Sequence, residues 1–581
     1  MDINNVIDDV AVKTATETLN EYMAGRQKLD AKIVDNEDWW KLQHWRNFHK
    51  QPKDREEMCT SAWLFNSLVN KHADAMDAYP VPAVLPRARD DEETAQQLSS
   101  ILPVIMEHCQ FEKTYSDNWW DKLKNGSAIY SVLWDADIDD VSIKPVDMLA
   151  FYWEPGVQDI QDSKNIFVLA LEDNKILEQH YPELNGKLSG YAIDKKQYHY
   201  DDSVDTTGKS IVIDWYYKTN NGVKDTVHYV KFVNGNILFA SENEEGYENG
   251  IYNHGLYPFV IDCLYEEKGT PAGFGYIDVM RSPQEYIDRI GTAILLNAEE
   301  AAKRRYLLKD SAGINEDELN DIHARIVHCT GSPNDDNYRE ITSPELSSVY
   351  LSVLQDKVNE LKETSGNRDF NQGGTASGVT AASAIQALQE AGNKGSRDAI
   401  KGAYRAYTEI CKMVVELIRQ FYTIQRVFRI TGDDGNTDYI EFDNRAMQSQ
   451  LTTVAGEEFK TKEPVFDIVI SAQKQSPYSK LSQNELALDF FNRGFFNPQL
   501  ADQVLPTIDM MDFDGKEKVR EAVKQNQTMF MQLQQMQQVA GLAAQALAER
   551  GDTRVLEAMQ QMGMVTSDTG NNTVQQKQSN S

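Results

Sequence analysis

Basic charge is scarce in this 581-residue chain: 58 Lys+Arg stand against 90 Asp+Glu, a formal net charge of −32. Affinity for nucleic acid comes largely from neutralising phosphates with cations. The shortage therefore argues against tight, static binding to a polyanion, but not against letting one slide past. Cysteine is scarce too. Cys59, Cys109, Cys263, Cys329 and Cys411 lie far apart and form no CxxC pair. Such a set predicts buried, reduced thiols of a cytosolic protein, not a disulfide framework. No run approaches the roughly 18 apolar residues that a membrane-crossing helix needs, so none is expected. The first residues, MDINNVIDDVAVKTATETL, are acidic without an apolar core, which predicts no signal peptide. Tryptophan is missing after residue 215, and Gln and Met crowd the segment beyond 520. The chain is therefore no repeat array.

Catalytic signatures are missing as well. No G-x-S-x-G or H-E-x-x-H occurs. SVDTTGKS (203–210) has Ser203 where a phosphate-cradling loop needs its first glycine, and a strand follows its lysine where a helix should begin, so it reads as a turn. DADIDDVSIKPV places Asp135, Asp137 and Asp139 at calcium-loop spacing, yet Asp140 replaces the turn glycine and Val146 the final glutamate. It reads as a solvated turn. His323, His328 and Cys329 have no fourth partner nearby, so no zinc site is expected. Neither a metal nor a cofactor is expected.

What is present is an ordered globular composition, 41% hydrophobic and 25% charged. The length predicts two to four substructures. Helical patterns occupy 5–30 and 38–78; a proline break, YPVPAVLPRARDDEE, spans 79–93; helical spacing resumes over Glu92–Asn125 with Leu98, Leu102, Ile105 and Met106 on one side. From Ser127 the period becomes two, and hairpin signals at NNG (220–222) and NGN (234–236) mark 127–270 as mainly antiparallel β. A helix from Tyr276 to about Lys303 carries Gly291, Ala293, Ala298, Ala301 and Ala302, which suits close helix packing. A compact insert follows, with a helix at 316–325, a strand at IVHC and a returning helix at about 344–362.

The run SGNRDFNQGGTASGVTAASAIQALQEAG (365–392) sits between two helices and lacks G-K-[ST], so a phosphate cradle is not expected there. A long helix over about 382–422 repeats Ile400, Tyr404, Tyr407, Cys411, Val414, Ile418 and Phe421 at three- and four-residue steps. A small β unit (426–471) and helices at 478–560 complete the chain. There Met529, Leu533, Met536, Ala540, Ala543 and Leu547 make a heptad seam, either within one subunit or between two. Lys303, Arg304 and Arg305 stand out against the acidic background, as a favourable charge at a helix C-terminus or as cations beside a passing polyanion.

In this order the parts resemble the portal, or head-to-tail connector, proteins of tailed bacteriophages. The likeness covers about residues 10–560. It rests on EKTYSDNWWDKLKNGSAIYSVLWDADI (112–138) leading to KPVDMLAFYWEPGVQDIQDSKNIFV, on the helix–insert–helix at 276–362, and on the glycine-rich run joined to the long helix. The resemblance implies an α+β, mainly helical portal fold with wing, stem, clip and crown, assembled as a ring with a central channel. It divides the chain into N-terminal helices and a β wing (1–275), a descending stem helix (276–303), a clip (304–344), an ascending stem helix (345–363), a tunnel loop (364–381), a long wing helix with a small β unit (382–475), a helical crown (476–560) and a disordered tail (561–581).

It further implies a non-enzymatic conduit at one capsid vertex of the virion, made in the host bacterial cytoplasm, through which double-stranded DNA is packaged and ejected without sequence preference. Implied partners are further copies of the chain (usually twelve to a ring), the terminase large subunit that supplies the motor, a head-completion or adaptor protein, the major capsid protein and any scaffolding protein; no membrane is implied. Within the tunnel loop, Asn367, Arg368, Asn371, Gln372, Thr375 and Ser377 would touch DNA, hinged at Gly366, Gly373, Gly374 and Gly378. Lys303, Arg304 and Arg305 would form a basic ring where stem meets clip, and the 529–547 seam would join neighbouring crown helices. The rival readings are an acidic oligomeric scaffold or adaptor protein without a channel, and a hydrolase with an unsignalled carboxylate pair.

Overall fold

The computed structural model describes residues 7–46, 58–188, 208–220, 225–302, 305–321, 323–330, 338–341, 347–366, 394–431, 437–448, 451–454, 457–460, 464–472 and 520. The chain divides into two compact units, Met1–Gly432 with Asn436–Gln473, and Asp433–Gly435 with Lys474–Ser581. Only Arg520 of the second unit is described, so the fold below is that of the first. The tunnel-loop positions 367–378, the crown seam 529–547, the tail, Lys303 and Arg304 lie outside the described residues.

Helix Asp9–Trp40 starts where the Asp8 carboxylate accepts the backbone N–H of Ala11. Its Val12, Ala15, Leu19 and Tyr22 recur at three- and four-residue steps and pack on a five-stranded sheet against Phe167, Ile213 and Phe232. That sheet is a meander of Phe151–Trp153, Asn165–Asp173, Lys209–Asn220, Asp225–Val233 and Asn236–Ala240. Asn234 and Gly235, at φ +47° and +81°, make its last hairpin turn, as the Asn-Gly pair predicts. A second sheet places Ser127–Asp135 between Asp140–Val146 and Phe259–Cys263. All strand pairs among the described residues are antiparallel, which with the helices gives the expected α+β class.

The proline break holds a strand. Pro80–Pro86 pairs antiparallel with Phe466–Ala472, close to 400 positions later in the sequence. Pro80, Pro82 and Pro86 all fall on even positions, so the odd residues Val81, Ala83 and Leu85 keep their N–H groups for the ladder. Val84 shows where the even edge points: its N–H and C=O both bond the hydroxyl of Ser99, on helix Glu92–His108. The helical spacing expected over 92–125 is carried by two helices, Glu92–His108 and Phe111–Asn125, because Gln110 takes left-handed angles between them. Among the described residues of the 38–78 pattern are the end of the first helix and a separate helix, Trp63–Met76.

Helix Lys394–Phe421 crosses the core, with Tyr407, Cys411, Val414 and Ile418 buried and the Tyr407 ring tilted 37° against that of Phe111, centroids 5.1 Å apart. The expectation for cysteine is corrected in part. All five thiols are free, but only Cys411 is buried and Cys329 is exposed.

Candidate functional site

Helix Tyr276–Ala302 begins inside the body and ends outside it. Tyr276, Ile277, Met280, Ile287 and Thr292 are buried, whereas Ala293, Leu295, Leu296, Ala298 and the residues to Ala302 are exposed, apart from half-buried Ile294 and Asn297. An antiparallel ribbon follows, Arg305–Leu308 with Tyr338–Ile341. The chain returns as helix Ser348–Ser365, capped by the Ser347 hydroxyl and packed along the outgoing helix. Together these elements form an arm.

Within the arm two expectations change. The helix expected at 316–325 spans only Glu316–Asn320, because the Asp321 carboxylate accepts the His323 N–H and folds the chain into a local turn. IVHC is not a strand; a single bridge joins Ile314 to Cys329.

Leu307, Val349 and Leu351 are 58%, 62% and 59% exposed, and Leu295, Leu296, Ile341, Tyr350 and Val353 are also exposed. Soluble monomers rarely leave so many neighbouring large apolar side chains in water. Val349, Tyr350 and Leu351 are consecutive, so at about 100° per residue they cover more than half the helix circumference. The apolar surface therefore faces two sides at once. A two-stranded ribbon also has two open edges and is marginal alone.

The arm is rooted by a polar ladder that the apolar periodicity concealed. Gln284, Asp288 and Thr292 are spaced four apart, so they share one helix face. Their side-chain oxygens accept backbone N–H groups of Leu64 (3.0 Å), Ser61 (2.9 Å) and Cys59 (3.0 Å) in turn. The irregular stretch before helix Trp63–Met76 and the first turn of that helix are thus stitched to the arm helix. The sequence signal was Q-x-x-x-D-x-x-x-T on a face that otherwise reads as core.

Gly366 is the one described residue of the tunnel-loop set. It ends helix Ser348–Ser365 at φ +71°, a left-handed cap that glycine adopts without strain. On the far side of the undescribed stretch, Ser396 is buried between Lys71 Nζ and Asp74 Oδ2, at 2.9 Å from each. Burial pushes the Lys71 ammonium down and the Asp74 carboxyl up. Arg305 starts the ribbon and is ion-paired with Glu300, so its charge is already matched. Gly291 packs toward Cys59 of the same chain, while Ala293, Ala298, Ala301 and Ala302 are exposed.

The rejected motifs behave as turns and pairs. Gly208 has φ +75° and Lys209 opens a strand. Asp135 to Asp140 close a hairpin in which Asp139 pairs with Arg426 and Asp140 accepts the Tyr422 hydroxyl. His328 gives its backbone N–H and ring to Glu318, which holds that carboxyl below its usual range. Among the described residues no group of three or more His, Cys, Asp or Glu could hold a metal. No described helix is long and apolar enough to cross a membrane. A cleft of about 350 Å³ is ringed by Asp159, Glu266, Glu267 and Glu409 around Arg405; burial, then Asp159, push the Glu409 carboxyl up.

A family model described as Phage P22-like portal protein matches residues 74–571. No curated protein matches the chain.

Proposed function

Since the chain belongs to the phage P22-like portal protein family, we propose that its copies close into a ring at a capsid vertex and that double-stranded DNA passes through the bore during packaging and ejection. The observation that carries this reading is the arm, whose apolar side chains face two sides at once. A subunit in a closed ring meets its neighbours by two different surfaces, head to tail, so a two-sided apolar arm fits that symmetry. A net charge of −32 on each copy suits a bore that must not hold its cargo.

In this reading helices Tyr276–Ala302 and Ser348–Ser365 are the stem, the ribbon between them is the clip, and the β-rich body is the wing. The clip docks a head-completion or adaptor protein, and the terminase large subunit supplies the motor. The chain itself is not an enzyme. The run at 367–378 brushes the DNA backbone, and the heptad at 529–547 joins crown helices.

Negative-stain imaging of the purified full chain tests the reading. The expected result is a ring of about twelve copies with a central hole. A monomer at micromolar concentration would overturn it, and a closed oligomer without a hole would favour the acidic scaffold.

A further inference from the structure

The polar ladder at the root of the arm contains a charged pair. Asp288 Oδ1 accepts from the backbone N–H and the hydroxyl of Ser61, at 2.9 and 2.8 Å, and from Nε2 of Gln284 at 2.9 Å. Asp288 Oδ2 lies 2.5 Å from Nδ1 of His44. The other ring nitrogen, His44 Nε2, lies 3.2 Å from the backbone carbonyl oxygen of Trp39. His44 and Asp288 are 3% and 1% exposed, so water does not stand in for a missing partner.

Both ring nitrogens of His44 thus face oxygens. A carbonyl oxygen only accepts, and so does an ionised carboxylate. A neutral imidazole carries a single N–H and can serve one of the two; the other contact would set two lone pairs against each other. An imidazolium serves both. The ring also stacks on the Trp39 indole, with centroids 4.4 Å apart and planes 20° from parallel, a face that attracts cations. Three further donors converge on Asp288, and a protonated carboxyl would turn a hydrogen toward one of them.

We infer that His44 and Asp288 form a buried imidazolium–carboxylate latch, and that its proton fixes the root of the arm to the body. Thr292, one turn beyond Asp288, is the last buried residue of the helix. The latch therefore acts where the arm's direction is set. A buried ion pair contributes little net stability compared with apolar packing, but it specifies one arrangement, because leaving either charge unpaired is costly.

The charged groups around His44 are otherwise matched among themselves. On its own segment Asp38 pairs with Arg46, and Lys41 with Glu37. From the arm helix, Arg281 pairs with Asp35 and lies 5.2 Å from the Trp39 ring, and Arg289 pairs with Glu285. The segment packed against Asp288, Cys59 to Ala62, carries no charge. Only the imidazolium makes both contacts, so removing its proton undoes the latch. The inference stands whether or not the copies form a ring.

Hydrogen–deuterium exchange of the full chain from about pH 6 to about pH 9, corrected for intrinsic exchange, reads the latch. Peptides covering 58–64 and 284–292 are expected to open about tenfold more readily at the upper end. Strand Phe466–Ala472, whose one acid, Asp467, is held below its usual range by Arg87, supplies the internal control and stays unchanged. In His44→Gln, whose neutral amide still donates to Asp288, and in Asp288→Asn, the same peptides lose their pH slope. Equal protection across the range in the wild-type chain overturns the inference, as does a slope that persists in His44→Gln. Should either variant fold poorly, the wild-type comparison of the latch peptides with the control strand decides alone.

Discussion

Lys122 Nζ lies 2.6 Å from Asp262 Oδ1 with both side chains almost wholly buried, and this pair ties three elements together. Lys122 belongs to helix Phe111–Asn125 and Asp262 to strand Phe259–Cys263, while the ammonium also reaches the Ala399 carbonyl on helix Lys394–Phe421. The Trp119 ring, 4.6 Å away, covers the cation. Lys122→Met leaves the buried Asp262 without its ion-pair partner, which costs about 3–5 kcal/mol. Lys122→Met with Asp262→Leu removes both charges and costs less. Denaturant midpoints of the two variants give the comparison.

Gly126 joins that same helix to the central strand of the three-stranded sheet at φ +87°. A Cβ there would lie 2.2 Å from the Phe274 carbonyl carbon, a backbone atom that cannot step aside. Gly126→Ala combines a strained angle with a collision, so a loss above about 4 kcal/mol is expected. Soluble yield and thermal unfolding read it out.

Much of this body was legible because period and burial agree. The 3.6-residue stripe of Tyr407, Cys411, Val414 and Ile418 buries one face of its helix, and the two-residue alternation of strand Asp140–Val146 buries Val141 and Ile143. The strand Pro80–Pro86 was not legible, since its partner lies at Phe466–Ala472 and its prolines announce a break unless their parity is noticed. The polar ladder was hidden for a different reason. Gln284, Asp288 and Thr292 occupy core positions of an amphipathic helix, and only the segment Cys59–Leu64 lying against them shows what they bind. The arm's exposed apolar residues read as core in the sequence because a periodic pattern does not say which chain will cover it.

Asp214 accepts the Tyr229 hydroxyl at 2.7 Å within the five-stranded sheet, and burial raises its carboxyl above the usual range. Between the usual value and the raised one, the folded chain holds a proton that the unfolded chain has released. Stability is therefore highest at low pH in this respect and falls as pH rises through that interval. Asp214→Asn abolishes that part of the slope. Thermal unfolding from about pH 4 to about pH 7, wild type against variant, isolates it.

Leu351→Glu places a charge in the exposed apolar end of helix Ser348–Ser365, where the side chain touches no core. Unfolding of the body should shift by no more than about 0.5 kcal/mol, as for other surface changes. Assembly should fail, because the charge would be desolvated at the contact between copies. Light scattering separates the outcomes: wild-type oligomer with monomeric variant supports the arm as interface. An oligomeric variant shows that copies meet elsewhere.

The basic cluster at the end of the outgoing arm helix splits into unequal parts. Arg305 is matched by Glu300, so Arg305→Glu would break a pair and leave two acids side by side, a local cost with little bearing on cargo. Lys303 and Arg304 carry the remaining charge of the KRR run. If that charge steadies passing DNA, Lys303→Glu with Arg304→Glu should lower packaged DNA per particle about tenfold while rings still form. Arg368→Ala with Asn371→Ala, in the glycine-rich run, should likewise spare assembly and impair packaging or retention. Nuclease-protected DNA per capsid measures both. Normal protection in the first double variant reduces Lys303 and Arg304 to helix-terminal charge, and normal protection in the second removes the run at 367–378 from the path of the DNA.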